Sequence, residues 1–162
     1  MAAVGSGTGP QTVRFTALQD TVNHVAAEGD SDGVTDVPLT TLDLTLARAS
    51  SGVPILIKVD VEGYETEVMA GAEKTLAAPE LLAVIMELNG SGARYGFDEK
   101  ALHQRMLGYG FRPFTYDGLT RTLAPLDRKN EAQGNTLYLR GIEIVEKRIA
   151  NSRRFNVQGT LI

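Results

Sequence analysis

The stretch Ile55-Leu56-Ile57-Lys58-Val59-Asp60-Val61-Glu62-Gly63 carries the clearest signal in the chain. Its β-branched, nearly continuous apolar character predicts a central parallel strand buried on both faces. Alternation within it puts Lys58, Asp60 and Glu62 on one face and Ile57, Val59 and Val61 on the other. Gly63 punctuates it. Glu65 to Leu76 then reads as a helix with Val68, Met69, Ala72 and Leu76 on its inner face, and with Glu65 and Glu67 at its positive first turn. After Pro79, Leu81 to Leu88 forms a second buried strand. Strand, helix and strand make a βαβ unit with a parallel pair and a right-handed crossover.

Working outward, Thr12 to Ala17 alternates like a strand, and Asp20 to Asp36 carries the Gly and Asp of a loop. Thr41 is placed to cap a short helix beginning near Leu42. Asp98 does the same for a helix running to about Leu107, closed by Gly108-Tyr109-Gly110. Phe111–Tyr116 and Thr120–Ala124 flank a turn at Asp117-Gly118, a hairpin pattern. Thr136–Leu139 is a last short strand. Residues 1–141 read as a single domain and residues 142–162 as a polar tail, with Ile142, Val145 and Ile149 on one face of a helix.

Composition narrows the chemistry. The 162 residues hold Lys+Arg 16 against Asp+Glu 20, a net charge of −4, with no cysteine and two histidines. Disulfides, thiolate metal sites and cysteine nucleophiles are excluded, and no histidine-built metal site is expected. Mild acidity argues against a nucleic-acid partner. No apolar run approaches the ~18 residues of a membrane span. No signal peptide is visible at the N-terminus, and a cytoplasmic protein is the expectation.

The candidate site follows from the first segment. Asp60 and Glu62 sit at the carboxyl end of one parallel strand and Glu87 at the same end of the next, where ligands bind in open α/β sheets. Ionised groups on a buried strand are costly unless paired or functional. Lys58 and Asp60 as a structural ion pair, with Glu62 solvated, is the competing reading. Glu65 is read first as a helix-terminus charge, and Asp43 likewise. His24 and His103 are read as a loop residue and a helix-surface residue.

The residues Ile57-Lys58-Val59-Asp60-Val61-Glu62-Gly63-Tyr64-Glu65, with Val68-Met69 and Gly71-Ala72, resemble the signature of FkbM-type methyltransferases. Pro38-Leu39-Thr40-Thr41-Leu42-Asp43, the strand ending in Glu87, Gly108-Tyr109-Gly110-Phe111 and Asn135-Thr136-Leu137-Tyr138 are similar to that family as well. The resemblance implies a class I, Rossmann-like and mostly parallel sheet with a C-terminal antiparallel hairpin. It also implies S-adenosylmethionine as methyl donor and a hydroxyl on a small molecule or sugar as acceptor. By resemblance Asp60 and Glu62 are catalytic, and Lys58, Glu65 and Glu87 bind substrate. A carboxylate there orients the acceptor hydroxyl or takes its proton.

The glycine run Gly5-Ser6-Gly7-Thr8-Gly9 does not open a helix, and it reads as a hairpin turn into Thr12–Ala17. The resemblance is therefore to the C-terminal portion of the family, with the N-terminal strands and most of the cofactor-binding segment expected to be missing. The alternative function is a non-catalytic methyltransferase-like module that forms homo-oligomers or binds a partner through an exposed sheet edge.

Overall fold

The computed structural model describes residues 2–7, 12–17, 23–31, 33–47 and 52–161. Their architecture is mixed α/β. The main sheet has five strands in the order β4-β5-β8-β6-β7: β4 (Ile55–Val59), β5 (Leu81–Glu87), β6 (Arg112–Asp117), β7 (Thr122–Pro125) and β8 (Asn135–Leu139). A three-stranded sheet precedes it in sequence, with β3 (Val34–Thr40) between β1 (Ala3–Val4) and β2 (Thr12–Thr16).

The main sheet is mixed, so the mostly parallel sheet expected from the sequence is not confirmed. Only β4 and β5 pair in parallel; β5–β8, β8–β6 and β6–β7 are antiparallel. A parallel pair needs a crossover of a dozen or more residues, and one βαβ unit supplies it. β7 follows β6 through the tight turn at Asp117, whose carboxylate accepts from Leu119 N (2.8 Å) and from the Thr120 hydroxyl (2.8 Å).

A second correction concerns β4. It closes the sheet at one edge instead of lying centrally, and it is not buried on both faces: Leu56 is 61% exposed whereas Val59 is 4% exposed. β-branched content identified the strand, but it cannot say what lies beside it. β5 does have the continuous burial expected of a central strand.

The N-terminal residues also pair differently from expectation. β1 does not turn into β2; both flank β3, Ala3 beside Leu39 in parallel and Val13 beside Val37 antiparallel. β3 itself was hidden by Pro38 and by the loop-like composition before it. Thr8 and Gly9 of the glycine run lie outside the described residues.

The crossover breaks into α2 (Glu65–Ala70) and α3 (Glu73–Ala77) where one helix was expected. Gly71 lies at the break, and a Cβ there would come within 1.9 Å of the Gly5 carbonyl oxygen, so the position accepts only glycine. The inner face is as read from the sequence, with Val68, Met69, Ala72 and Leu76 all buried. These residues pack with Val84, Met86, Phe111, Tyr138 and with Leu102 and Met106 of α4 (Glu99–Gly108) into one core cluster.

Caps fall where the sequence puts them. Thr41 Oγ1 accepts from Leu44 N (3.1 Å) at α1 (Leu42–Leu46), and Asp98 Oδ1 accepts from Lys100 N (2.8 Å) at α4. His103 is a correction: it is 8% exposed and faces inward, with Nδ1 2.8 Å from the Tyr138 hydroxyl. Burial lowers its pKa, and Lys129 adds to that. His24 lies in a loop with Nε2 3.1 Å from Asp30.

Arg140 ties the helix ends together. Its guanidinium donates to the carbonyls of Leu76 (2.8 Å), Leu81 (2.8 Å), Tyr109 (3.3 Å) and Ala78, and it stacks over Phe111 at 4.6 Å. A cation among the final carbonyls of α3 and α4 meets the negative ends of both helices. α5 (Ile142–Asn151) follows, and a small hairpin of β9 (Asn156–Val157) and β10 (Thr160–Leu161) ends the described chain. Among the described residues no helix is long and apolar enough to cross a membrane.

Candidate functional site

Register brings the acidic residues together. Lys58 lies beside Ile85 and Val59 beside Met86, so Asp60, the residue just past the end of β4, falls next to Glu87 at the end of β5. Asp60, Glu62 and Glu87 each offer a carboxylate oxygen, and these atoms all lie within 4.8 Å of one another. Asp60 is exposed; the other two are half-buried.

Glu62 does not reach this cluster by strand alternation. The extended backbone ends at Val59, and Glu62 sits in a turn with φ 54, in the left-handed region. Such a conformation costs a non-glycine residue roughly 1–2 kcal/mol. Gly63 follows at φ 102. There a Cβ would lie 2.6 Å from the backbone carbonyl of Ser91, so only glycine lets the loop after β5 close onto this turn.

The charges are unequal. Lys58 Nζ donates to Asp60 Oδ2, and this contact, stronger than the opposing effect of burial, holds the Asp60 carboxyl below its usual range. Glu87 moves the other way. Burial raises its pKa first, the hydrogen bond and charge of Asp60 raise it further, and Glu62 and Glu65 add to that. Carboxyls this close do not ionise independently, and of the two Glu87 has the greater affinity for a proton.

Glu65, the first residue of α2, is 3% exposed. Its Oε1 accepts from Val61 N (3.2 Å) and from Gly63 N (3.4 Å). Burial raises its pKa, partly offset by these backbone donors. The structure thus joins Asp60, Glu62 and Glu87, sets Lys58 on Asp60, and engages Glu65 with the backbone on either side of Glu62. Asp43 lies elsewhere: it accepts from Lys74 N (3.0 Å), Thr75 N (2.8 Å) and Thr75 Oγ1 (2.7 Å), capping α3 from a distant part of the chain.

Sequence reading missed one further group. Glu99 accepts from Gly90 N (2.6 Å) and from Lys129 Nζ (2.6 Å), and Lys129 also donates to the Leu88 carbonyl (2.8 Å). This pins the loop that follows Glu87. Helix position alone signalled only that Glu99 suits the first turn of α4.

A family model described as the methyltransferase FkbM domain matches residues 3–113, more than half of the chain. The chain belongs to the FkbM methyltransferase family. No curated protein and no solved structure matches it.

Within this FkbM domain the carboxylates form an open cluster. Grooves of about 520, 230 and 260 Å³ lie on the α5 side of the main sheet, and none is lined by Asp60, Glu62 or Glu87. The net negative charge suits the sulfonium of S-adenosylmethionine, the donor a methyltransferase family implies. The close approaches at Gly5 and Gly7 are to the protein itself. A Cβ at Gly7 would meet Thr41 Cγ2 at 2.4 Å, and the Gly5 carbonyl is packed on Gly71, so this backbone approaches the protein's own chain. Three carboxylate oxygens are also hard ligands of the kind divalent cations take, although exposed acidic groups often cluster without one.

Proposed function

We propose that this FkbM domain provides the acceptor side of an S-adenosylmethionine-dependent O-methyltransferase site, on a class I sheet, for a hydroxyl of a small molecule or sugar. The observation that carries the reading is the convergence of Asp60, Glu62 and Glu87 at the carboxyl ends of two adjacent parallel strands. S-adenosylmethionine, when bound, would supply an electrophilic methyl group, and the Asp60 and Glu62 carboxylates would suit its positive charge.

The chain's own residues handle the hydroxyl. Asp60, kept charged by Lys58, accepts the hydroxyl hydrogen bond and orients the oxygen. Glu87, the carboxyl with the greater proton affinity, takes the proton as the oxygen becomes alkylated. A base whose pKa lies nearer the working pH is the more effective proton acceptor. Transfer of labelled methyl from S-adenosylmethionine to a panel of hydroxylated sugars and polyketides tests this. Asp60→Asn and Glu87→Gln are each expected to lower the rate by ~10²–10⁴-fold with circular dichroism unchanged. Transfer that survives both substitutions would remove the reading.

A second reading rests on a separate observation. β4 ends the strand order, and Leu56 and Val53 beside it are 61% and 55% exposed. Unpaired edges with apolar side chains favour pairing with another chain, as an oligomeric module requires. Light scattering across a concentration series separates a monomer from such an assembly.

A further inference from the structure

We infer that Glu65 is a positioning residue that holds Glu62 in its left-handed turn and so keeps the Glu62 carboxylate against Asp60 and Glu87. The Val61 and Gly63 N–H groups that Glu65 Oε1 accepts belong to the peptide units before Val61 and after Glu62. One buried oxygen therefore grips the backbone on both sides of the strained residue. Position 62 at φ 54 is a conformation that persists only where its surroundings impose it. Gly63, seated on the Ser91 backbone, closes the turn from the other side.

The burial of Glu65 supports the assignment. At 3% exposure its carboxyl group is expensive to remove from water, and its side-chain hydrogen bonds go to this turn. Glu65 differs from Asp60, Glu62 and Glu87 in this respect: it is buried where they are exposed or half-buried, and it is not part of their cluster.

The inference rests on the reading that the carboxylate cluster is the working site, but its test reads the cluster directly. Carbon-detected NMR titration of the Glu87 carboxyl in the full chain is the measurement. Charges near Glu87 include Asp60, Glu62 and Glu65, with Lys58 on Asp60 and Glu99 beside Glu65. Glu65→Gln removes the charge but keeps the acceptor oxygen. Glu65→Asp keeps the charge but draws the acceptor back by one methylene, and Glu65→Ala removes both.

Glu62→Gln is expected to lower the Glu87 titration midpoint by deleting a like charge. Glu65→Ala and Glu65→Asp are expected to lower it as well, because the Glu62 carboxylate swings out. In a Glu62→Gln background, Glu65→Asp should have no further effect. Glu65→Asp carries the test if the alanine variant does not fold. A Glu87 midpoint in Glu65→Asp equal to that of wild type, with Glu65→Ala matching Glu65→Gln, would overturn the inference. Absence of methyl transfer alongside the expected titrations would instead count against the functional reading alone.

Discussion

Gly63 shows how much of the site hangs on one missing methyl group. Its φ of 102 and the 2.6 Å separation between a hypothetical Cβ and the Ser91 carbonyl act in the same direction. Gly63→Ala is therefore expected to cost more than the roughly 1–2 kcal/mol of the left-handed conformation alone, and a urea unfolding midpoint measures it. The contact is with backbone, so the Ser91 loop has to move for the alanine to fit. Amide shifts of Ser91 and Gly92 should therefore change more than those in β7. An alanine variant with an unchanged midpoint would show that the turn yields freely. Sequence alone identified Gly63 as the end of a strand, but it could not reveal that a loop nearly 30 residues later closes on it. Asp60 and Glu87 were legible as partners because parallel register aligns strand ends. The role of Glu65 was less so: a helix-terminal acid and a backbone clamp have the same sequence signature, and only burial separates them.

At the scale of elements, the α2–α3 break shows where local pattern and tertiary contact part ways. The apolar spacing from Val68 to Leu76 fits one continuous helix, and its buried face is the expected one. What the spacing cannot contain is the carbonyl of Gly5, which approaches Gly71 at the point where the helix breaks. α3 then begins as a new N-terminus without a local cap, and Asp43 fills that role from α1. Burial alone would raise the Asp43 pKa, but the donors from Lys74 and Thr75 outweigh it, so the carboxyl titrates below its ordinary 3.8. The folded state thus binds this proton less tightly than the unfolded chain. The stabilisation is fully present above pH 3.8 and is lost as pH falls through the lowered folded value. Asp43→Ala is expected to cost about 1 kcal/mol near neutrality, as cap removals do, and its deficit relative to wild type should shrink in acid. Thermal unfolding of both proteins from neutral pH to pH 3 checks the size and the sign. A pH-independent deficit would assign the loss to packing instead.

For the molecule as a whole, the main sheet is unevenly covered. The core cluster of α2, α3 and α4 packs on the face carrying Val59, Val84, Met86 and Tyr138. Leu56, beside Ala83, projects to the opposite face at the outer edge, where α5 contributes Val145 and Ile149 to a shared groove. β-branched sequence had suggested burial on both sides for β4, because a strand's composition records the kind of surface it suits and not whether a neighbour is present. The consequence is an edge with a hydrogen-bonding backbone and an apolar side chain in solvent, the arrangement that promotes pairing between chains. Leu56→Lys tests this without touching the core. At 61% exposure the substitution should change stability by no more than about 0.5 kcal/mol. A lysine on an edge strand opposes strand addition, so the light-scattering mass should move towards the 17.4 kDa of one chain. Leu44→Lys, at a more exposed leucine on α1, supplies the control, since it removes comparable surface hydrophobicity from an element that is not a strand of the main sheet. Equal falls in mass for both variants would point to general apolar stickiness. A fall confined to Leu56→Lys would assign assembly to the β4 edge, and a wild-type mass of one chain at every concentration would remove self-association altogether.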